Sequence, residues 1–137
     1  MNKEEILKFI NENTNCYLAT LEDNQPRLRG MRLYSCDAAG ILFQTWTLKD
    51  LHKQLIKNPE AEICFNGPGL QIRVRGKMEL VDDLALKKEV AEKRPFMKPI
   101  IETRGGWDIV ALWRLKNGKA FVWTMPTNFE PKTYIQL

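Results

Sequence analysis

The stretch that decides the fold is Leu70-Gln71-Ile72-Arg73-Val74-Arg75-Gly76-Lys77-Met78-Glu79-Leu80-Val81. Ile72, Val74, Gly76, Met78 and Leu80 fall on one side of a two-residue period, and Gln71, Arg73, Arg75, Lys77 and Glu79 on the other. Successive side chains of a strand point to opposite faces, so this period predicts one long strand with an apolar and a polar face.

Its flanks read the same way. Gly67-Pro68-Gly69 is a turn leading back to a strand over Ala61–Asn66. Before it, Thr47–Lys57 is the clearest helix of the chain. Thr47 is a good N-cap, Asp50 stands where a capping box needs an acid, and Leu48, Leu51, Leu55 and Ile56 form the buried face before Asn58-Pro59 ends it. Further upstream come a helix over Lys3–Asn13 and strands over Cys16–Thr20, Arg27–Cys36 and Ile41–Thr45, separated by Glu22–Pro26 and Asp37–Gly40 turns. Downstream, Asp82–Arg94 reads as a helix running from acidic to basic residues, as the helix dipole favours. Pro95–Gly106, broken by prolines and glycines, reads as a connection. Trp107–Leu115 and Lys119–Met125 then form an expected hairpin around Asn117-Gly118. Six or seven strands joined mostly by short turns favour antiparallel pairing. The class is mainly β: one domain over residues 1–137, a β-barrel with peripheral helices.

Composition narrows the function. A net charge of +4 permits an anionic ligand without demanding nucleic acid. Cys16, Cys36 and Cys64 are scattered, and His52 is the lone histidine, so neither a metal site nor a disulfide framework is expected and a reducing cytosol is the natural compartment. No apolar run reaches the roughly 20 residues that span a bilayer, and the N-terminus has no signal-peptide core.

Two segments could bind an anion. In Gln25-Pro26-Arg27-Leu28-Arg29-Gly30-Met31-Arg32, Arg27 and Arg29 share one face of a strand, and two guanidinium groups suit a phosphate. From spacing alone a solvated basic face is the commoner outcome. In Phe43-Gln44-Thr45-Trp46-Thr47-Leu48-Lys49 a strand runs into a helix start, where free N–H groups, the Thr45 hydroxyl and the Lys49 ammonium gather; a plain cap with a solvated lysine is an equal reading. His52 has no partner at a catalytic spacing and reads as structural. The three cysteines read as core, and so do Trp107, Trp113 and Trp123, unless these line an interface or a ligand. There is no glycine-rich dinucleotide or P-loop motif, and no catalytic residue is evident.

Taken in order, Leu18-Ala19-Thr20, Gln25-Pro26-Arg27-Leu28-Arg29, Gly40 to Thr45, Lys49, Gln54-Leu55, Asn58-Pro59, Glu62-Ile63-Cys64 and Arg73-Val74-Arg75-Gly76 resemble the pyridoxamine 5′-phosphate oxidase-like FMN-binding split barrels. Small bacterial members, including those grouped with nitroimidazole-resistance proteins, are the most similar. The resemblance is strong over Tyr17–Val81 and weaker beyond. It implies a six-stranded antiparallel Greek-key split barrel that forms a homodimer, with FMN at the interface. It assigns the phosphate to Arg29, beside Arg27 and the Gly30 backbone, and to Lys49. It sets Gln44, Thr45 and Gln71 against the flavin, with Trp113 from the partner chain. The strand Ala120–Met125 lacks the His and Arg of the oxidase's substrate site, which argues against true pyridoxamine-phosphate oxidation. The oxidase's tandem Arg-Lys in the second helix is absent too. The expected function is therefore an FMN-dependent oxidoreductase acting on a small electron acceptor. A flavin-binding redox or stress protein without a dedicated substrate is the alternative. A basic nucleic-acid-binding barrel is weaker, because no aromatics interleave the Arg27–Arg32 run.

Overall fold

A computed structural model describes residues 1–137. In chain order the elements are α1 (Lys3–Glu12), β1 (Asn15–Glu22), β2 (Gln25–Arg32), β3 (Ser35–Asp37), β4 (Gly40–Trp46), α2 (Asp50–Lys57), β5 (Glu60–Gly67), β6 (Leu70–Leu80), α3 (Leu84–Lys93), α4 (Met97–Arg104), a 3₁₀ turn (Gly106–Ile109), β7 (Val110–Leu115), β8 (Lys119–Thr124) and β9 (Ile135–Gln136). The sheet runs β2-β1-β5-β6-β7-β4-β3, with β8 on β6 and β9 on β8. Every pairing is antiparallel. β2 and β3, adjacent in sequence, end the path without pairing to each other, which leaves the barrel split.

The long strand is the pivot. β6 pairs with β5 on one edge; on the other edge it pairs with β8 over residues 70–75 and with β7 over 78–80. Ile72, Val74 and Met78 are buried, while Arg75, Lys77 and Glu79 are exposed, as the two-residue period requires. Leu80, expected with the apolar set, is 47% exposed at the strand's end.

The main core fills the barrel with Leu18, Phe43, Ile63, Phe65, Ile72 and Val74, closed from outside by Ile6 and Ile10 of α1 and by Leu51 and Leu55 of α2. A smaller core forms on the opposite side of β4 and β7, where Leu42, Val110 and Leu112 meet Val90 and Ala91 of α3 and Met97 and Ile101 of α4. β4 is therefore buried on both faces.

Several expectations need correction, among them the buried face expected for Thr47–Lys57, where Leu48 and Ile56 are exposed. The strands number nine rather than six, because short pieces such as β3 and β9 lie below what a period can reveal. The single strand over Arg27–Cys36 breaks at Leu33-Tyr34, where the Leu33 amide donates to Thr14 and the Tyr34 amide to Leu42, carrying the chain across the split. α2 starts at Asp50, so Thr47 is not its cap. The Thr47 N–H is taken by the Ile109 carbonyl and the Lys49 N–H closes a tight turn onto Trp46, which leaves Lys49 as an N-cap with no side-chain bond. Residues 97–104 are a helix: Pro99 sits in its first turn, where a missing N–H costs nothing.

The expected hairpin also fails. β7 and β8 are not paired to each other; each lies along a different part of β6. Asn117 has a φ of 52° and Gly118 turns the corner between them. A Cβ on Gly118 would stand 2.6 Å from both Leu115 Cδ2 and Val74 Cγ1, so this glycine is required by close packing against β6. The first residues of that segment, Gly106–Ile109, are a 3₁₀ turn rather than strand.

Candidate functional site

β2 is an edge strand, and most of it is exposed. In the register Leu18 lies opposite Arg29 and Thr20 opposite Arg27, so both arginines project on the side that carries Leu18 and Thr20 into the core. α2 packs against β1 on that side. It sets Gln54, a buried polar residue at 6% exposure, beside Thr20 at 3%.

Arg29 is held from one side. Its Nη1 donates to the Leu18 carbonyl at 3.2 Å and to Thr20 Oγ1 at 2.7 Å, and its Nη2 donates to Gln54 Oε1 at 2.6 Å. Thr20 Oγ1 in turn donates to Gln54 Oε1 at 2.6 Å. Both Nη1 hydrogens and one Nη2 hydrogen are thereby used. The Nε–H and the second Nη2–H, which point the same way from the planar group, have no partner in the chain. That pair is the fork that matches a carboxylate or phosphate edge. Every acceptor on Arg29 is neutral. Burial, then the nearby Arg27, pushes its guanidinium below the ordinary value, and Asp50 in the first turn of α2 opposes this. The side chain stays charged, as arginine does in proteins.

Arg27, two residues away, is ion-paired. Its Nη2 donates to Glu22 Oε1 at 2.9 Å, and both side chains are about half exposed. Glu22 Oε2 accepts from Gln54 Nε2 at 3.3 Å. Gly30 faces outward next to Tyr17, and nothing stands within 4 Å of the place a Cβ would take. Lys49 is exposed at the start of α2, next to Asp50.

The remaining predicted residues lie elsewhere. Gln44 and Thr45 are 7% and 4% exposed inside β4, and Gln44 Nε2 donates to the Thr45 carbonyl at 2.8 Å. Gln71 is on the outer face of β6, where its Oε1 accepts from Arg73 Nε at 3.2 Å and Nη2 at 2.9 Å. Two strands, β1 and β5, and a sheet face separate it from Arg29. Trp113 is 3% exposed in the main core, and its Nε1 donates to His52 Nδ1 at 3.1 Å. His52 is thus structural and neutral: an imidazolium has no lone pair to accept that bond, and burial lowers its pKa. Cys16 and Cys36 are buried, and burial raises their thiols to about 12 and about 11. Cys64 is half-buried on the outer face, so it is not core as expected.

One feature escaped the sequence reading. A cleft of about 470 Å³ lies between the β2–β3 crossing and the end of α3, lined by Arg32, Tyr34, Lys93, Arg94 and Phe96 among others. Arg94 Nη2 donates to the Arg32 and Leu33 carbonyls at 3.3 and 3.0 Å, and its guanidinium carbon lies 5.3 Å from the Tyr34 ring centroid. The Tyr34 hydroxyl is buried and has no hydrogen-bond partner. Lys93 and Arg94 read in sequence only as a basic helix end; the crossing that brings Tyr34 beneath them is tertiary.

Comparison with known proteins gives the chain a family. No curated protein sequence matches it. Among solved structures, a NimC/NimA family protein from Clostridium acetobutylicum superposes with a TM-score of 0.77 at 25% identity, over 98% of this chain and 92% of that one. A protein from the same organism, related to general stress protein 26 of B. subtilis and described as of the pyridoxinephosphate oxidase family, gives 0.73 at 15% identity, over 98% and 93%. A pyridoxamine 5′-phosphate oxidase-related, FMN-binding protein from Nostoc punctiforme gives 0.60 at 15% identity, over 98% and 95%. The two latter likenesses speak to fold: an open, split antiparallel barrel with peripheral helices. The family model for pyridoxamine 5′-phosphate oxidase matches residues 2–129, and with nearly the whole length so covered, the chain belongs to that family.

Proposed function

We propose that this protein is an FMN-binding flavoprotein that holds the flavin phosphate on the free Nε/Nη2 fork of Arg29 and acts as an oxidoreductase on a small electron acceptor. The observation that carries the reading is that fork: a charged, half-buried guanidinium fixed by neutral oxygens on one edge and unpartnered on the other. Arg27 is spoken for by Glu22, so Arg29 is the ligand and Arg27 adds long-range field. The Gly30 backbone and Lys49 complete the phosphate surroundings. The FMN-binding relative of the same fold supports the choice of cofactor.

When bound, the flavin supplies the electron-transfer chemistry. The chain supplies binding, orientation and charge, since no side-chain acid or base converges on the site. Gln71 would reach the flavin with its amide nitrogen, which makes no hydrogen bond within the chain; its oxygen is committed to Arg73. Gln71 and Arg29 lie on opposite faces of one sheet, so a single chain does not offer both to one ligand. A homodimer with FMN between the chains joins them. The buried Gln44 and Thr45 shape the strand end beneath such a ligand, and Trp113 braces α2 rather than presenting a free surface. The Tyr34 cleft, with its basic rim of Arg32, Lys93 and Arg94, is the place for a polar or anionic end of a substrate. No helix is long and apolar enough to cross a membrane, and three free cysteines are compatible with a cytosolic location.

The test is a titration of the purified protein with FMN and with riboflavin, read by flavin absorbance and fluorescence. Binding of FMN at least tenfold tighter than riboflavin is the expected outcome, about one charge-assisted hydrogen-bond set. No flavin binding refutes the reading, and equal affinities refute the phosphate site. NAD(P)H-driven turnover of a nitro compound by the loaded protein separates an enzyme from a flavin-binding redox protein with no dedicated substrate.

A further inference from the structure

We infer that Gln54 is the positioning residue of the phosphate fork: with Thr20 it occupies one edge of the Arg29 guanidinium, turns the other edge outward, and keeps the neighbouring carboxylate off it. This rests on the reading of Arg29 as the phosphate ligand and adds to it a residue on α2, with β3 and β4 between them in sequence.

The geometry is specific. Gln54 Oε1 accepts from Thr20 and from Arg29, both at 2.6 Å, and Gln54 Nε2 donates to Glu22 Oε2 at 3.3 Å. Reversing the amide would aim an NH₂ group at two donors and a carbonyl at a carboxylate, so the network fixes its orientation. Two consequences follow. Thr20 Oγ1 and Gln54 Oε1 bridge Nη1 and Nη2, so the edge that remains is Nε/Nη2. The Nε2 side then steadies Glu22 in its bond to Arg27. Glu22 is the carboxylate tied into this network. Set on Arg29 instead, it would hold the same fork a phosphate needs. Gln54 separates the two arginines into a paired one and a free one. Both Gln54 and Thr20 are nearly fully buried and both are bonded to Arg29, through which they act.

The bland reading is that Gln54 only fills the space between α2 and β1. The two readings differ in what they do to the phosphate. Gln54→Leu keeps the bulk and removes the amide. It is expected to lower FMN affinity about tenfold, the scale of a lost hydrogen bond to a charged group, while riboflavin affinity stays within about twofold. Gln54→Glu keeps an acceptor for Thr20 and Arg29 but brings a carboxylate to the guanidinium; FMN affinity is expected to fall at least as far. Thr20→Val, close in shape, gives a smaller loss of the same kind and decides the matter alone if Gln54→Leu does not fold. A loss of FMN and riboflavin affinity in equal proportion, or an unchanged FMN-to-riboflavin ratio in all three variants, overturns the inference. Arg29→Ala, run alongside, keeps the failures apart. If it too leaves the ratio unchanged, the phosphate reading itself is wrong. If it abolishes the preference while the Gln54 variants do not, only the positioning role falls.

Discussion

The pattern Arg-x-Arg occurs twice in this chain on strands, and the two copies have opposite fates. Arg73 and Arg75 lie on the outer face of β6. Arg73 lays its Nε and Nη2 on Gln71 Oε1 and stands 5.8 and 6.0 Å from the Phe121 and Trp123 ring centroids, and Arg75 stands 4.2 Å from that of Tyr134. The Arg73 fork is closed by an amide beside aromatic rings of β8, and Arg75 lies against a ring of the C-terminal segment. Arg29 uses the other edge of its guanidinium, toward Thr20 and Gln54, and the Nε/Nη2 edge is open. The same side chain on the same kind of strand is thus consumed in one place and available in the other. The difference comes from the neighbours: α2 brings one buried amide, whereas β8 brings aromatics. Arginine spacing alone therefore does not tell which guanidinium keeps a free edge.

The largest expected effect tests that contrast directly. Arg29→Ala should weaken FMN binding by about 1.5–3 kcal/mol, the scale for losing hydrogen bonds to a charged group. Arg73→Ala should change it far less, because its donors already serve Gln71. Isothermal titration of both variants checks this. Equal losses would break the comparison and move the phosphate toward β6, and an unchanged Arg29→Ala would remove it from β2.

What the sequence made legible follows the same line. The β6 period was readable because each side chain reports only its own face, and Ile72, Val74 and Met78 fell where that period put them. The pairing of β7 and β8 was not. Asn117-Gly118 carries a strong hairpin signal, but Gly118 is needed for packing on Leu115 and Val74, and β6 is long enough to hold both strands in series. Local chemistry named a turn; the tertiary partner decided what the turn joined. The site divides likewise. Motif order singled out Arg29, and spacing set Arg27 beside it on one face. Gln54 entered only as part of the motif order, without a role, and Tyr34 not at all, because each gains its meaning from a tertiary neighbour: Arg29, 25 positions away, for Gln54, and Arg94 at the end of α3 for Tyr34.

A second, smaller effect concerns the brace under α2. The Trp113 N–H to His52 Nδ1 bond ties the helix that carries Gln54 to β7. Trp113→Phe loses that bond and leaves a gap, and should cost about 1–2 kcal/mol of stability by thermal or urea melts. The bond also predicts a pH dependence. His52 is held below its ordinary value by burial, so the unfolded chain binds the proton more tightly than the folded one. This stability is fully present above the unfolded value of about 6.5 and is lost as pH falls through the lower folded value. The melting temperature should therefore drop on acidification below about pH 6.5, and by less in His52→Gln. An identical drop in that variant would assign the acid loss to other groups.

The smallest effect sharpens the contrast from the β6 side. If the outer-face arginines are consumed by rings, their charge should matter for packing and hardly at all for an anion. Arg75 is the better probe of the two, because at 4.2 Å from the Tyr134 ring centroid it makes the closer contact and has no share in Gln71. Arg75→Ala should cost about 0.5–1 kcal/mol of stability, the scale of a partly exposed cation–π pair, with FMN affinity unchanged. Arg75→Lys should recover part of that stability, because an ammonium keeps the charge over the ring while losing the planar stacking of a guanidinium. A loss of FMN binding in Arg75→Ala that Arg75→Lys restores would mean that the outer face supplies charge to the ligand. In that case the two Arg-x-Arg strands would be two halves of one anion site, met between two copies of the chain, and the contrast within a single chain would dissolve.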